Sequence, residues 1–312
     1  KGNKPRTKIR PDHSGAALGM LIGIDKNRYQ VLLQEGNYQV NATLAKELRN
    51  NGPAVGDIVS LAGDTSSDEG ALSRIVRIEP RTTLLRRSAD DSDQVERVIV
   101  ANATQLMIVI AAANPEPRTR LVDRYLAAAY DAGLTPLICV TKTDLADPTE
   151  FLENFQGLSI PIIRTRSDSF DLGSLMDILS GQTTVLVGHS GVGKSTLVNA
   201  LAPEANRAVG VVNAVTGRGR QTSTSVRALA IENGWIIDTP GIRSFGLGHI
   251  DPKNLLRSFE DLWETIRSCP RGCSHLVDSP DCALDEAVAK GALGAQGAHR
   301  VDSLRRLMTS LS

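Results

Sequence analysis

The chain has 312 residues, of which 41% are hydrophobic and 22% are charged, and its formal net charge at pH 7 is zero. This length suits about two or three globular domains. The zero net charge excludes a uniformly basic coat for nucleic acid. No apolar run approaches the roughly 18 residues of a membrane span, and no signal-like apolar segment opens the chain. We therefore expect a cytoplasmic protein without membrane contact.

Residues 1–13 form a basic tail, in which no acidic residue precedes Asp12. Such a run is typical of a solvated chain end, and it is also suited to neutralising RNA phosphates. Near the other end of the chain, Arg300, Arg305 and Arg306 are predicted to extend the same positive footprint.

Residues 14–83 contain five short strand-like segments separated by polar turns, at 18–24, 29–33, 38–44, 57–62 and 72–78. Five such strands predict an OB-type β-barrel, a fold that commonly binds RNA. A polar segment, 88–93, then separates this domain from the next.

A second domain is predicted over residues 93–247. It begins with a strand-rich stretch, 95–113, and a helix, 120–132. An apolar strand candidate, 135–140, follows and leads into Thr141-Lys142-Thr143-Asp144. The Asp144 carboxylate is suited to accept hydrogen bonds from N1–H and N2–H of guanine, a donor pair that adenine lacks. The tetrapeptide therefore predicts GTP selection over ATP, and the alternative for Asp144 is a helix cap in a loop.

A phosphate-binding loop occupies residues 188–195, between an apolar run, 183–187, and a helix-like stretch, 196–202. It matches G-x-x-x-x-G-K-S, in which glycines let backbone N–H groups approach a triphosphate closely. Lys194 is predicted to contact the β- and γ-phosphates, and Ser195 to bind Mg²⁺. The predicted nucleotide-binding residues here are Gly188, Ser190, Gly191, Val192, Gly193, Lys194, Ser195 and Thr196. The alternative is a glycine-rich turn with a chance Lys-Ser.

Two further segments predict switches that respond to the γ-phosphate. Residues 217–224 are polar and include Thr222, which is placed to reach Mg²⁺ and the γ-phosphate, although the string alone also suits a plain loop. Asp238 follows a hairpin with an Asn-Gly turn and is predicted to hold Mg²⁺ through water. Gly241 is predicted to offer its N–H to the γ-phosphate.

Three of the four cysteines lie close together with a histidine, at Cys269, Cys273, His275 and Cys282. A Cys₃His set is typical of a structural Zn²⁺ site, because four soft or borderline ligands close the tetrahedron and leave no position for substrate. Disulfides are the alternative, but three clustered cysteines leave one over. Cys139, in an apolar strand candidate, is expected to be a core residue.

The base-reading tetrapeptide precedes the phosphate-binding loop, which reverses the usual order in GTPases. Circular permutation explains the reversal and keeps the site, because chain ends lie at the surface and often close together.

With these motifs the chain resembles the circularly permuted, small ribosomal subunit-dependent GTPases of the RsgA family, chiefly over residues 188–199, 220–224 and 238–246. The resemblance implies an α/β fold: a circularly permuted P-loop GTPase domain, an N-terminal OB-type barrel and, over residues 248–312, a C-terminal zinc-binding helical domain. It also implies Mg²⁺-dependent hydrolysis of GTP to GDP and phosphate, stimulated by the small ribosomal subunit and its rRNA. We expect a monomer.

The chain departs from the family pattern at Thr141, where members usually have Asn, and at Gln221, where they often have His. In the family, the Asn side chain makes a hydrogen bond that steadies the P-loop and the base pocket. Thr141 replaces the group that makes this bond. Thr165-Arg166-Ser167 is only loosely similar to the loop that backs the base, and it is left unassigned.

Ile242 stands where Ras-like GTPases have the Gln that orients the attacking water. We therefore predict that Gln221 orients the water once a partner orders its loop, so that Lys194, Gln221 and Thr222 form the catalytic set. Unaided turnover is then expected at about 10⁻⁴ to 10⁻² s⁻¹. Two alternatives stay open: a GTPase that acts on a different RNA partner, and an RNA-binding, GTP-dependent scaffold.

Overall fold

A computed structural model describes residues 15–25, 28–49, 52–66, 68, 71–87, 97–169, 171–203, 225–240, 247 and 250–311. The chain divides into two compact units, Lys1–Arg81 and Thr82–Ser312. The basic tail at 1–13 and three predicted site residues, Gln221, Thr222 and Gly241, lie outside the described residues. The finer division of the second unit into a GTPase domain and a zinc-binding domain stays a prediction.

The first unit is a closed five-stranded barrel. Its strands are β1 (Ala17–Asp25), β2 (Arg28–Leu33), β3 (Gln39–Leu44), β4 (Ile58–Gly63) and β5 (Ser73–Ile78). They pair in the order β1-β2-β3-β5-β4, and β4 pairs back with β1. Alternate side chains point inward, so a compact apolar core fills the barrel, including Leu21, Val31, Val59 and Ile75. The predicted OB-type barrel is confirmed, and each predicted strand end lies within one residue of the observed one.

The second unit is built on a mostly parallel sheet. Its strands are β8 (Gln105–Ala111), β9 (Thr135–Thr141), β10 (Ile162–Arg164), β11 (Gln182–Val187), β12 (Arg227–Ile231) and β13 (Gly234–Asp238), after a two-stranded ribbon of β6 (Leu84–Arg87) and β7 (Arg97–Ala101). The order is β10-β9-β8-β11-β13-β12, and only the β12–β13 pair is antiparallel. Strand β8 and the second half of β11 are apolar and buried because both faces of the sheet are covered there.

Eight α-helices are described: α1 (Thr119–Asp131), α2 (Thr149–Glu153), α3 (Leu172–Leu179), α4 (Lys194–Leu201), α5 (Pro252–Arg257), α6 (Glu260–Ile266), α7 (Ala283–Ala289) and α8 (Gly297–Thr309). Short 3₁₀ helices lie at Lys46–Leu48 and Gln156–Leu158. Helices α3 and α4 pack on the sheet through Leu175, Leu179 and Leu197, against Met107 and Leu186. Among the described residues, no helix is long and apolar enough to cross a membrane.

The C-terminal helix α8 is fixed to the sheet domain by Arg306. Its guanidinium group forms an ion pair with Asp123 of α1 at 2.9 Å and donates a 2.6 Å hydrogen bond to the carbonyl oxygen of Asn154. It also lies over the ring of Phe155, 5.3 Å from the centroid. The contacts bind α8 to two elements that are far from it in sequence.

The other two arginines of α8 are also committed to contacts within the chain. Arg300 donates to the carbonyl oxygen of Gly157 at 2.7 Å, while Arg305 donates to the carbonyl oxygen of His275 at 3.0 Å and to both carboxylate oxygens of Asp285 at 2.8 Å. Each of the three guanidinium groups also forms an ion pair within the chain, with Asp261, Asp285 and Asp123 respectively, so the prediction that these arginines extend a positive footprint is wrong. Their donors are used to hold the helix in place, and the sequence alone does not reveal such partners.

Burial of Asp123 adds a pH dependence to this contact. Its side chain is 1% exposed, and the loss of solvation raises its pKa to about 6, although the nearby charge of Arg306 acts in the opposite direction. The folded protein therefore holds a proton on this carboxyl more tightly than the unfolded chain does. Protonated Asp123 therefore contributes to the stability of the folded protein. This contribution is complete below the pKa of the carboxyl in the unfolded chain, 3.8, and is lost as the pH rises through about 6.

We expect Arg306→Leu to lower the free energy of unfolding by about 3–5 kcal/mol at pH 7.5, because the carboxyl of Asp123 stays buried without its partner. The measurement is urea denaturation followed by fluorescence. The matched control is Arg267→Leu, which removes an exposed pair with Glu264 and should cost less than about 1 kcal/mol. Equal losses in the two variants would contradict the role given to the buried pair.

Candidate nucleotide-binding site and metal centre

Three of the predicted motifs meet at one edge of the sheet. The base-reading tetrapeptide begins at the last residue of β9, the P-loop follows β11, and Asp238 ends β13. These strands are linked through β8 in parallel register, with Ala111 opposite Thr141 and Leu186 opposite Asp238. The carboxyl ends of parallel strands point the same way, and this edge is where open α/β sheets bind ligands.

The P-loop passes very close to the neighbouring strand. A Cβ atom at Gly188 would collide with the carbonyl oxygen of Val109 on β8, so only glycine fits there. Gly193 has φ 92° and is the N-terminal cap of α4, a conformation that side chains rarely adopt. The loop therefore turns sharply into α4, whose first N–H groups have no partner within the helix and are suited to an anion.

Thr141 ties the base-reading segment to the P-loop. Its side chain is buried, and Oγ1 lies 2.5 Å from the carbonyl oxygen of Val192 and 3.1 Å from that of Ile110. A hydroxyl has one proton to donate, and the shorter distance favours Val192 as its acceptor. A side-chain hydrogen bond to the P-loop is thus present although the family's usual Asn is absent.

Lys142 makes a second tie between the same segments. Its ammonium group donates to the carbonyl oxygen of Gly191 at 2.8 Å and to that of Asn114, in the loop after β8. The residue itself has φ 57°, in the left-handed region that non-glycine residues rarely occupy. Two carbonyl contacts hold it in this conformation, so the side chain braces the P-loop against the neighbouring loop.

Asp144 is exposed at the rim of this edge and is oriented by a neighbouring loop. Its Oδ1 accepts a 2.6 Å hydrogen bond from the backbone N–H of Ser167, which lowers its pKa and keeps it ionised at neutral pH. Thr143 donates from its N–H and its hydroxyl to the carbonyl oxygen of Thr165 at 3.1 Å. The segment 165–167, which the sequence did not allow us to assign, therefore backs the tetrapeptide, and its position directly after a short apolar strand was the available signal.

The groups predicted to contact phosphate and Mg²⁺ lie together at the base of the loop. Lys194 and Asp238 form an ion pair, and their side chains are 13% and 20% exposed. Thr239, which is buried, donates to the carbonyl oxygen of Leu186 at 2.7 Å and so fixes the end of β13 to β11. The exposed hydroxyl of Ser195 and the carboxylate of Asp238 are the hard oxygen donors that Mg²⁺ prefers.

The predicted metal ligands converge between α6 and α7. The ligand atoms of Cys269, Cys273, His275 and Cys282 all lie within 4.8 Å of one another. Among the described residues, Nδ1 of His275 is buried and has no hydrogen-bond partner, which is costly unless something binds it. Three sulfur atoms and one imidazole nitrogen at this spacing fit Zn²⁺.

The protein environment also sets the protonation of three of these groups. Burial lowers the pKa of His275, with a further contribution from the charge of Arg305, so the imidazole is neutral at pH 7, as a ligand must be. Backbone N–H groups donate to two of the sulfur atoms, from Ala283 to Cys269 at 3.3 Å and from His275 to Cys273 at 3.4 Å. The two thiols differ, however: hydrogen bonds from Ser279 and from the N–H of His275 lower the pKa of Cys273 against the effect of burial, whereas burial raises the pKa of Cys269 to about 11.

The fold and this site define a circularly permuted P-loop GTPase. The sequence model of a family described as RsgA GTPase matches residues 78–248. The small ribosomal subunit biogenesis GTPase RsgA of Pseudomonas syringae pv. tomato is 36% identical over 305 residues, which cover 94% of this chain and 85% of the relative. Its namesake from Pseudomonas putida strain F1 is 36% identical over 309 residues, covering 95% and 86%. The chain belongs to the RsgA GTPase family.

Two solved structures are similar over nearly the whole chain. The crystal structure of YjeQ from Thermotoga maritima is 25% identical with a TM-score of 0.69, and the match covers 95% of this chain and 98% of that one. The crystal structure of YloQ, described as a circularly permuted GTPase, is 27% identical with a TM-score of 0.66 and covers 96% of both chains. Both support the permuted order of the motifs.

Thr141→Val should weaken GTP binding about tenfold, because the variant keeps the shape of the side chain but leaves the carbonyl group of Val192 without its donor. Thr141→Ser keeps the hydroxyl and should bind within about threefold of the original protein. Titration with a fluorescent GTP analogue measures both affinities. Equal affinities for the Val and Ser variants would show that the hydroxyl does not hold the P-loop.

Zinc should copurify with the chain at about one ion per molecule, and Cys273→Ser should lose it and lower the melting temperature by about 5 °C or more. The control is Cys139→Ala, since this cysteine is buried in β9 away from the cluster and should leave the zinc content unchanged. Elemental analysis and thermal melts provide the readouts. A metal-free protein that melts as the zinc-loaded one does would contradict a structural zinc site.

Proposed function

We propose that this GTPase hydrolyses GTP with Mg²⁺ during late maturation of the small ribosomal subunit and that the subunit stimulates hydrolysis. The observation that carries the proposal is the convergence of Asp144, Lys194 and Asp238 at one edge of the sheet, with Thr141 and Lys142 linking the base-reading segment to the P-loop. The partner is taken from the relatives, which are named as small ribosomal subunit biogenesis GTPases.

Each group at this edge has a distinct task in the proposed reaction. The ionised carboxylate of Asp144 accepts hydrogen bonds from N1–H and N2–H of guanine, while the backbone N–H groups of the P-loop surround the phosphates. Lys194 leaves its pair with Asp238 to contact the β- and γ-phosphates, where it offsets the negative charge on the oxygen atoms during transfer to water. Mg²⁺, when bound, neutralises phosphate charge, and Ser195, Thr222 and Asp238 are the residues proposed to hold it.

The water-orienting group is proposed from the sequence, because Gln221 lies outside the described residues. Ile242, after the DTPG segment, carries no polar group that could orient the water. The amide of Gln221 has both a donor and an acceptor, as this task requires. Gly241 is proposed to offer its N–H to the γ-phosphate, and Thr222 to reach the metal and the same phosphate.

The zinc centre and the barrel are proposed to serve docking. Zn²⁺ held by Cys269, Cys273, His275 and Cys282 would fix the loop between α6 and α7, which Arg305 also holds through the carbonyl group of His275. The OB-type barrel is proposed to contact rRNA, as this fold commonly does. We further propose that the protein acts as a monomer in the cytoplasm, where small subunits mature.

The proposed function predicts slow hydrolysis of GTP by the purified protein and an acceleration of about 100-fold or more by isolated small ribosomal subunits. Large subunits and ATP are the controls, and neither should give comparable turnover. Phosphate release with each nucleotide and each subunit is the measurement. Stimulation by large subunits alone, or by neither subunit, would overturn the assignment of the partner.

The same assay tests the role of Gln221. Gln221→Ala should abolish most of the subunit-stimulated rate while GTP binding stays intact, because only the orientation of water is lost. Gln296→Ala, at an exposed position before α8, is the matched control and should be stimulated normally. Full stimulation of the Gln221→Ala protein would remove the residue from the catalytic set.

A further inference from the structure

A polar groove runs between α8 and the segment that contains α2 and the following 3₁₀ helix. We call it the acidic groove, and its lining includes Glu150, Glu153, His299, Asp302, Ser303 and Arg306. The carboxylates on its rim are exposed to solvent. The groove lies within the second unit, and none of the residues placed at the nucleotide-binding edge is among its lining residues.

The charges of the groove do not balance. In the part of the chain that the structure describes, Glu150 and Glu153 make no ion pair, and Asp302 makes one, with Arg306 at 3.5 Å, although the Asp302 side chain is 77% exposed. The guanidinium charge of Arg306 is already matched by buried Asp123 at 2.9 Å. Three carboxylates therefore face a groove whose one guanidinium is already neutralised.

The lining also contains a hydroxyl without a partner. Ser303 is 2% exposed and lines the groove, and within the described ranges its hydroxyl makes no hydrogen bond. Helical hydroxyls elsewhere in this unit bond back to the carbonyl four residues earlier, as in Ser258 and Thr309. Ser303 does not, so a hydrogen-bonding group that is almost wholly buried is left for whatever enters the groove.

We propose that the acidic groove binds a lysine- or arginine-rich segment of a partner protein. Ammonium and guanidinium groups offer several donors and no acceptor, which suits three carboxylates and a free hydroxyl oxygen. RNA is excluded as the occupant, because its phosphates meet like charges here. The choice of a protein rests on the proposed function, since a ribosomal subunit presents RNA and protein surfaces and the charge of the groove excludes the RNA.

The test is peptide binding by the full-length, zinc-loaded protein, without ribosomal subunits. The probe is a fluorescein-labelled peptide of alternating arginine and glycine, followed by fluorescence anisotropy at two salt concentrations. The double variant Glu150→Gln/Glu153→Gln should bind about fivefold or more weakly, because two exposed carboxylates are removed. The control Glu232→Gln/Glu264→Gln removes the same charge from exposed positions outside the groove and should bind within about twofold of the original protein.

A third variant separates docking in the groove from diffuse attraction. Ser303→Ala leaves the net charge unchanged, and we expect it to weaken peptide binding about threefold without lowering the melting temperature. Binding by Ser303→Ala or by the groove variant that equals that of the original protein would overturn the proposal. Displacement of the peptide by spermine at an equal concentration of positive charge would also overturn it, since the occupant would then be a free polyamine.

The peptide-binding assay can fail or succeed independently of the assay for the proposed function in ribosome maturation. Peptide binding uses neither nucleotide nor subunits, whereas the hydrolysis assay uses both. A protein that small subunits do not stimulate, but that binds the peptide through the groove, would refute the maturation role and keep the groove. The groove variants should hydrolyse GTP in the absence of subunits at the original rate, because none of the substituted residues lies at the nucleotide-binding edge.

Discussion

Parallel hydrogen bonding between β11 and its two neighbours, β8 and β13, is the constraint on which the rest of the site depends. It sets the P-loop beside Asp238 on one side and, through β8 and β9, beside Asp144 on the other. The order in which these strands occur along the chain does not enter into this geometry. A permuted sequence therefore builds the same edge as an ordinary one, because register between strands positions the groups.

Hydrogen bonds from side chains add to the positioning of the P-loop that the strands provide. Thr141 and Lys142 both donate to P-loop carbonyl groups, at Val192 and Gly191, so the segment that reads the base also shapes the segment that binds phosphate. The acceptor is a backbone carbonyl, and any donor of suitable reach can meet it. This explains how a threonine can stand where the family usually has asparagine and still hold the loop.

The sequence predicted the barrel well, because alternating apolar residues and polar turns mark strands locally. It also predicted the convergence of Asp144, Lys194 and Asp238, since each follows a recognisable apolar strand or motif. It did not predict α2, α3 or β10, whose apolar stretches are short. The partners of Arg300 and Arg306 were missed for a different reason. Gly157 and Asp123 lie more than 100 positions away in the sequence, and only tertiary packing brings them close. The partners of Arg305, His275 and Asp285, are nearer in sequence but lie on other elements, so the helical pattern of α8 does not indicate them.

The position of β11 in the sheet has a consequence for the chain while it is being synthesised. Of the strands in this parallel sheet, β8, β9 and β10 are synthesised first and can pair with one another, but the partner on the other side of β8 is β11, which emerges later than all three. Until then, one edge of an almost wholly apolar strand has unpaired N–H and C=O groups, a template to which other chains can add. Because of the permutation, the chain is most prone to aggregate during synthesis in the interval after β8 has emerged and before the central strand β11 has been made.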